Sequence, residues 1–158
     1  MMKRMFLGAV AAIVLTTAAG AQQLPLPYGS PVTLAQAKKI VAAAEQSAQS
    51  RNFTMAFAVV EPSGELVLFH KMDGTQYGSE LVAREKARTA ARFKRSTKAF
   101  FDSIAGGRNA VLSLPGVVAI EGGTPIVING QIVGAIGVSG GTSEQDGEVA
   151  AAALLGLK

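Results

Sequence analysis

The chain has 158 residues, a net charge of +4 at neutral pH and no cysteine. Its length fits one domain with its own hydrophobic core, and the lack of cysteine excludes disulfides, thiolate metal sites and cysteine catalysis. The near balance of charge gives no compositional argument for nucleic acid, so no nucleic-acid partner is expected.

Residues 1–21 have the pattern of a cleavable secretory signal peptide. Lys3 and Arg4 form a positive start, an uncharged apolar stretch continues to Leu15, and Ala-Gly-Ala then supplies small residues at the cleavage site. The stretch is shorter than the roughly 20 apolar residues that span a bilayer, although a retained anchor is the alternative. We expect a periplasmic or secreted mature chain that begins at Gln22 and has no membrane span.

The first half of the mature chain predicts a helix followed by a β-hairpin. Residues 22–32 are rich in proline and predict an extended lead-in. Thr33 is the predicted N-cap of an amphipathic helix. The runs 53–60 and 66–72 flank a Pro-Ser-Gly turn and predict paired strands. Because both runs are apolar on both faces, we expect a sheet covered on each side by helices or by another subunit.

The second half predicts two helices and then strands. Ser79 is the predicted cap of a long basic helix, and Thr97 is predicted to start a short one. Strands are predicted at 117–120, 125–128 and 131–138, with an Asn-Gly turn that joins the last two.

A final helix should begin with a capping box, formed by Thr142 with Gln145 or by Ser143 with Asp146. The element order predicts an α+β fold around one central, mainly antiparallel five-stranded sheet.

His70 is the only histidine, and it lies at the end of a predicted strand. A lone histidine cannot form a multi-histidine metal site, and no clear partners for a Ser-His-Asp triad are present. Haem needs only one axial imidazole, because methionine, tyrosine or water can fill the other side. The alternative is a hydrogen-bonded strand histidine that binds no ligand.

Basic side chains are concentrated between Arg84 and Lys98, where a solvated helix face is the simplest interpretation. Lys86 differs, because helical spacing places it among the apolar positions of the same helix. We expect Lys86 to point inward, where it could pair with Asp73, with Glu121 or with an anionic ligand such as a propionate.

Several segments together carry a family resemblance: VVEPSGELVLFHKMDGT, SELVAREKARTAARFKRST and LPGVVAIEGGTPIVINGQIVGAIGVSGGTSEQDGEVA. With them the chain resembles the GlcG/HbpS-like haem-binding family, and it is also similar to the C-terminal domain of PduO-type proteins. The resemblance assigns residues 33–158 to one such domain and implies that it is a single three-layer α/β/α domain. It implies homo-oligomers, often octamers, and haem binding or a link to haem degradation in some members. One exported member partners a sensor kinase.

Among the positions that match the family are Asp73, Lys86, Thr89 and Phe93. Together with His70 and Met72, which the residues themselves suggest, they are the candidates for contact with haem, with His70 as the candidate iron ligand. Two departures from the family pattern stand out. Gly147 replaces the acidic residue that often follows the Gln-Asp pair, and Ala83 interrupts a Glu-x-x-Glu iron-binding pattern that would start at Glu80. We therefore do not expect an iron-sensing role for this chain.

The leading hypothesis is an exported, non-enzymatic haem (tetrapyrrole) binding protein with its ligand near an oligomer interface. The second is a cofactor-free oligomeric accessory or sensory protein that docks to an envelope partner through its basic face. A third is an enzyme that acts on a small anionic metabolite through Lys86.

Overall fold

A computed structural model describes residues 25–157, so the predicted signal peptide lies outside the described residues. The helices and strands follow each other in the order α1 (Leu34–Gln49), β1 (Ala56–Val60), β2 (Leu66–Lys71), α2 (Ser79–Phe93), α3 (Thr97–Ala105), β3 (Gly123–Ile128), β4 (Gln131–Ser139) and α4 (Ser143–Ala153). Short 3-10 turns cover Asn109–Ser113 and Leu154–Leu157. The α+β class is confirmed.

Within residues 25–157 the strands form one four-stranded antiparallel sheet in the order β2-β1-β4-β3. The expected fifth strand at 117–120 is wrong. There the Val118 N–H donates to Thr89 Oγ1 at 3.0 Å, and the Val117 N–H donates to Leu114. The backbone of this apolar run is therefore hydrogen-bonded to a turn and to a helix side chain. An apolar sequence is not enough to form a strand, because the backbone of a strand also needs a neighbouring strand as its hydrogen-bond partner.

The Asn129-Gly130 turn joins β3 to β4 as predicted, with both residues at positive φ (50° and 73°). This conformation matches the twist of a two-residue hairpin. Strand β3 starts at Gly123, before the predicted Pro125. A proline is tolerated there because β3 is an edge strand of the sheet.

Each face of the sheet packs on different helices. On β1, Phe57 and Val59 belong to a cluster with α1 and α4, whereas Ala56, Ala58 and Val60 pack with α2. The small side chains on the second face let α2 approach closely. A Cβ on Gly137 of β4 would lie 2.0 Å from the carbonyl oxygen of Ala83, so only glycine allows this approach.

Capping residues set the helix ends. Thr33 and Thr142 each form a capping box, with Gln36 and Gln145 respectively, so Thr142 rather than Ser143 caps α4. The expected cap at Ser79 is wrong, because Ser79 is already the first residue of α2 and is buried.

The segment before α1 is attached to the sheet. The Ile132 N–H of β4 donates to Pro27, and the Gly29 N–H donates back to Ile132, each at 2.9 Å. The Tyr28 hydroxyl donates to the carbonyl oxygens of Ala91 and Arg92, at 2.9 and 3.1 Å, at the end of α2. Within residues 25–157, no helix combines the length and the apolar character that crossing a membrane requires.

Candidate functional site

The predicted site residues fall into separate groups. His70, Met72 and Asp73 line one hollow at the end of β2. Lys86, Thr89 and Phe93 lie on α2, which packs against the other face of the sheet. None of the three α2 residues lines the hollow at the end of β2.

The hollow beside β2 has a volume of about 330 Å³ and is open to solvent. This volume is at the lower end of the range for small-molecule sites, roughly 300–1,000 Å³. The residues that line it come from α1 and from the end of β2: Glu45, Gln49, His70, Lys71, Met72 and Asp73. The hollow therefore combines one imidazole, one cation, one thioether and two carboxylates.

The imidazole of His70 is held in place by its surroundings. It stacks on the Phe57 ring, with 6.0 Å between centroids and an interplanar angle of 16°, and the two residues are partners across β1 and β2. The side chain is 40 % exposed, yet Nε2 is covered. Glu45 Oε1 lies 3.5 Å from Nε2, but Nε2 makes no hydrogen bond with the described residues.

Glu45 and Gln49 were not predicted as site residues. They lie one helical turn apart on α1, and Gln49 Nε2 donates to Glu45 Oε1 at 3.2 Å. Their spacing was visible in the sequence, but their position beside His70 depends on how α1 crosses β2.

The other side chains of the hollow differ in how firmly they are placed. Met72 packs against the core cluster, and its N–H donates to Met55 at 3.0 Å. Asp73 is exposed. The Lys71 ammonium lies 5.8 Å from the ring centroid of Tyr77, a side chain that is 93 % exposed. Lys71 is thus a cation at the border between the hollow and an exposed aromatic ring.

Lys86 points inward as expected, and only 1 % of it is exposed. Its ammonium donates to Asp146 Oδ2 at 2.6 Å and to the Val138 carbonyl at 3.1 Å. The expected partners Asp73 and Glu121 are wrong. Burial raises the pKa of Asp146, while the Lys86 ammonium and the N–H groups of Gly140 and Gly141 oppose that rise.

Gly122 makes room for this ion pair. It has a φ of +116°, and a Cβ there would lie 2.6 Å from the Val138 carbonyl oxygen and 3.0 Å from Lys86 Nζ. Asp146 Oδ1 also accepts the Gly141 N–H at 2.9 Å. The glycine-rich segments therefore surround a buried ion pair that joins α2, β4 and α4.

Thr89 and Phe93 connect α2 to the segment that follows it. Thr89 Oγ1 donates to the Gly116 carbonyl at 3.1 Å and accepts the Val118 N–H at 3.0 Å. The Phe93 ring meets Phe100 of α3 edge to face, with 5.5 Å between centroids. These contacts are structural, and a role in ligand binding for either residue stays a prediction.

The basic face of α2 is largely occupied by partners within the chain. Arg88 pairs with Glu85 at 2.8 Å and donates to the Gly64 carbonyl at 3.1 Å, and Arg92 donates to the Ser63 carbonyl at 2.8 Å. Arg88 and Arg92 thus hold the β1–β2 turn on α2. The hypothesis of a basic docking face loses support from these contacts.

The family whose model matches residues 32–155 is described as "HbpS-like: Haem degrading protein HbpS-like". Protein GlcG of Escherichia coli K12 is 41% identical over 103 residues, which cover 65% of this chain and 77% of GlcG.

Solved structures agree with this sequence similarity. A double mutant of Streptomyces reticuli HbpS superposes with a TM-score of 0.75 at 27% identity, over 95% of this chain and 99% of that one. The crystal structure of a PduOC–haem complex gives a TM-score of 0.72 at 25% identity, over 80% of this chain and 94% of that one.

Proposed function

Because this chain belongs to the HbpS-like family, we propose that it is an exported haem-binding protein that holds its tetrapyrrole without turning it over. The haem-bound relative supports the ligand class. The observation in this chain that carries the proposal is the unpartnered Nε2 of its only histidine, at the border of an open hollow.

The residues of the hollow fit a haem in their chemistry. Haem supplies an iron atom with two axial positions, which an imidazole and a second ligand such as methionine can occupy. His70 is the proposed first ligand, and Met72 lines the same hollow. Lys71 forms no ion pair with the described residues, so its charge is available to a propionate.

The size of the hollow bears on the oligomer. An open site of about 330 Å³ covers little of a large planar ligand, whereas small-molecule sites usually bury 70–90% of a drug-sized ligand. We therefore propose that a second subunit completes the cover, which places the haem near an interface between copies of the chain.

The pattern of residues 1–21, with Lys3 and Arg4 ahead of an apolar stretch and small residues at the cleavage site, supports the proposed localisation outside the cytoplasm. A haem-binding protein outside the cytoplasm would capture an extracytoplasmic ligand or serve an envelope partner.

Haem titration of residues 22–158 tests the proposal. We expect a shifted and sharpened Soret band that saturates at a fixed ratio of haem to protein, and His70→Ala should change that spectrum. Gln46→Ala, an exposed change on α1 outside the hollow, is the matched control. A band identical to that of free haem would refute haem binding, and a band that decays under reductant and air would refute the non-enzymatic part.

A further inference from the structure

We infer that Glu45 gates His70: its carboxylate covers Nε2 and must move away before that nitrogen can bind iron. The inference deepens the proposed function and rests on it. It concerns how this chain regulates access to its only imidazole, and it makes Glu45 and Gln49 positioning residues of the site.

The side chains of His70 and Glu45 differ in how freely they can rotate. His70 is fixed by its stack on Phe57 and by the pairing of β2 with β1. Glu45 projects from α1 and is 33 % exposed, with rotatable bonds that lead toward solvent. Opening the site therefore requires a rotation of Glu45, whereas a rotation of the imidazole would break its aromatic stack.

The carboxylate and an iron atom compete for the same nitrogen. A carboxylate 3.5 Å from Nε2 favours the form of the imidazole that carries a proton on Nε2. Iron binds the nitrogen lone pair, which that proton occupies. With Glu45 in place, the proton should lie on Nε2, and the remaining lone pair of the neutral ring lies on Nδ1.

Gln49 holds the closed position. Its amide donates to the same Glu45 oxygen that faces the imidazole, at 3.2 Å, from one turn further along α1. The contact orients the carboxylate toward His70 and lowers the chance that it rotates away. Gln49→Ala should therefore loosen the gate without removing the charge.

The tautomer of His70 gives a test that does not need haem. Since the chain has one histidine, nitrogen-15 NMR of the ligand-free protein at neutral pH reports on this ring alone. We expect the proton on Nε2 in the wild type, and a shift of the population toward Nδ1–H in Glu45→Ala. Gln46→Ala, the neighbouring exposed position on α1, should keep the wild-type spectrum.

Stopped-flow mixing with haem then measures the gate itself. The association rate should rise several-fold in Glu45→Ala, rise less in Gln49→Ala, and stay unchanged in Gln46→Ala. A wild-type proton on Nδ1, or an association rate equal in wild type and Glu45→Ala, would overturn the gate. If no variant binds haem while the tautomer responds to Glu45, the proposed function fails and the covering of Nε2 by Glu45 stands.

Discussion

Lys86 and Asp146 form an ion pair that is buried on all sides, with 2.6 Å between Nζ and Oδ2. Taking two charges out of water is costly, so such a pair adds little net stability, but the loss of one partner strands the other charge. The third hypothesis assigned Lys86 to a substrate, whereas the ion pair accounts for the inward position of its side chain. The contacts of Lys86 lie inside the protein.

Lys86→Met should lower the free energy of unfolding by about 3–5 kcal/mol, because Asp146 is left buried without its counter-charge. Denaturant unfolding checks this, with the exposed α1 change Lys38→Met as control, for which no comparable loss is expected. A loss no larger than that of the control would contradict the account.

Asp146→Asn should likewise destabilise the protein, and the double variant Lys86→Met/Asp146→Asn should lose less stability than the sum of the single variants. The amide keeps an acceptor for the Gly141 N–H, and neither charge then remains buried. A double-mutant cycle with no coupling energy would show that the two side chains do not act as a pair.

At the scale of elements, α2 organises its surroundings through polar contacts in its C-terminal half. Tyr28 bonds the last carbonyl groups of the helix, and the Lys94 ammonium lies 4.1 Å from the centroid of the Tyr28 ring. Further along the helix surface, Thr89 holds the segment 116–118. The helix therefore fixes loops before and after it in the chain.

Thr89→Val should cost about 1–3 kcal/mol, because it leaves the Val118 N–H and the Gly116 carbonyl without their partner while it preserves side-chain shape. Hydrogen exchange at the Val118 amide should accelerate, and the exposed change Thr54→Val should not alter it. An unchanged exchange rate at Val118 would refute the tether.

Tyr28→Phe should destabilise the protein modestly, whereas Tyr77→Phe, at the 93 % exposed ring, should not. Burial raises the pKa of Tyr28 above its ordinary value of 10.0. Because this pKa is raised, the contribution of the hydroxyl to the free energy of unfolding is present below pH 10. It is lost as the pH rises through the higher pKa of the folded state. Unfolding measured at a series of pH values checks this, because the difference in free energy of unfolding between wild type and Tyr28→Phe should disappear at high pH.

At the scale of the whole molecule, the sheet separates the candidate residues. The hollow with His70 lies on the α1 side, whereas Lys86, Thr89 and Phe93 belong to α2 on the other side. The two groups therefore do not form one site on a single face of the sheet.

Expression of the full-length chain tests its destination. Export should yield a protein that begins at Gln22 by mass spectrometry, and light scattering of that protein should give an oligomer mass. An uncleaved N-terminus would contradict the signal peptide, and a monomer in the presence of haem would contradict the interface site.

The sequence by itself determined the features that depend on neighbouring residues. The N-cap at Thr33, the Asn129-Gly130 turn and the inward position of Lys86 follow from spacing and local chemistry, and Thr142 was one of two capping residues that the sequence predicted for α4. Such signals involve residues within a few positions of each other, so one strand or helix suffices to express them. The order of the helices and strands predicted the α+β class, which the structure confirms.

Only the tertiary structure decided which distant residues meet. Asp146 lies 60 positions from Lys86, and the pairing depends on α2 packing closely over Gly137. Glu45 reaches His70 because α1 crosses β2, and residues 117–120 are not a strand because Thr89 binds their backbone. Periodicity shows which face of an element is apolar, but the partner of that face is set by packing across the whole domain.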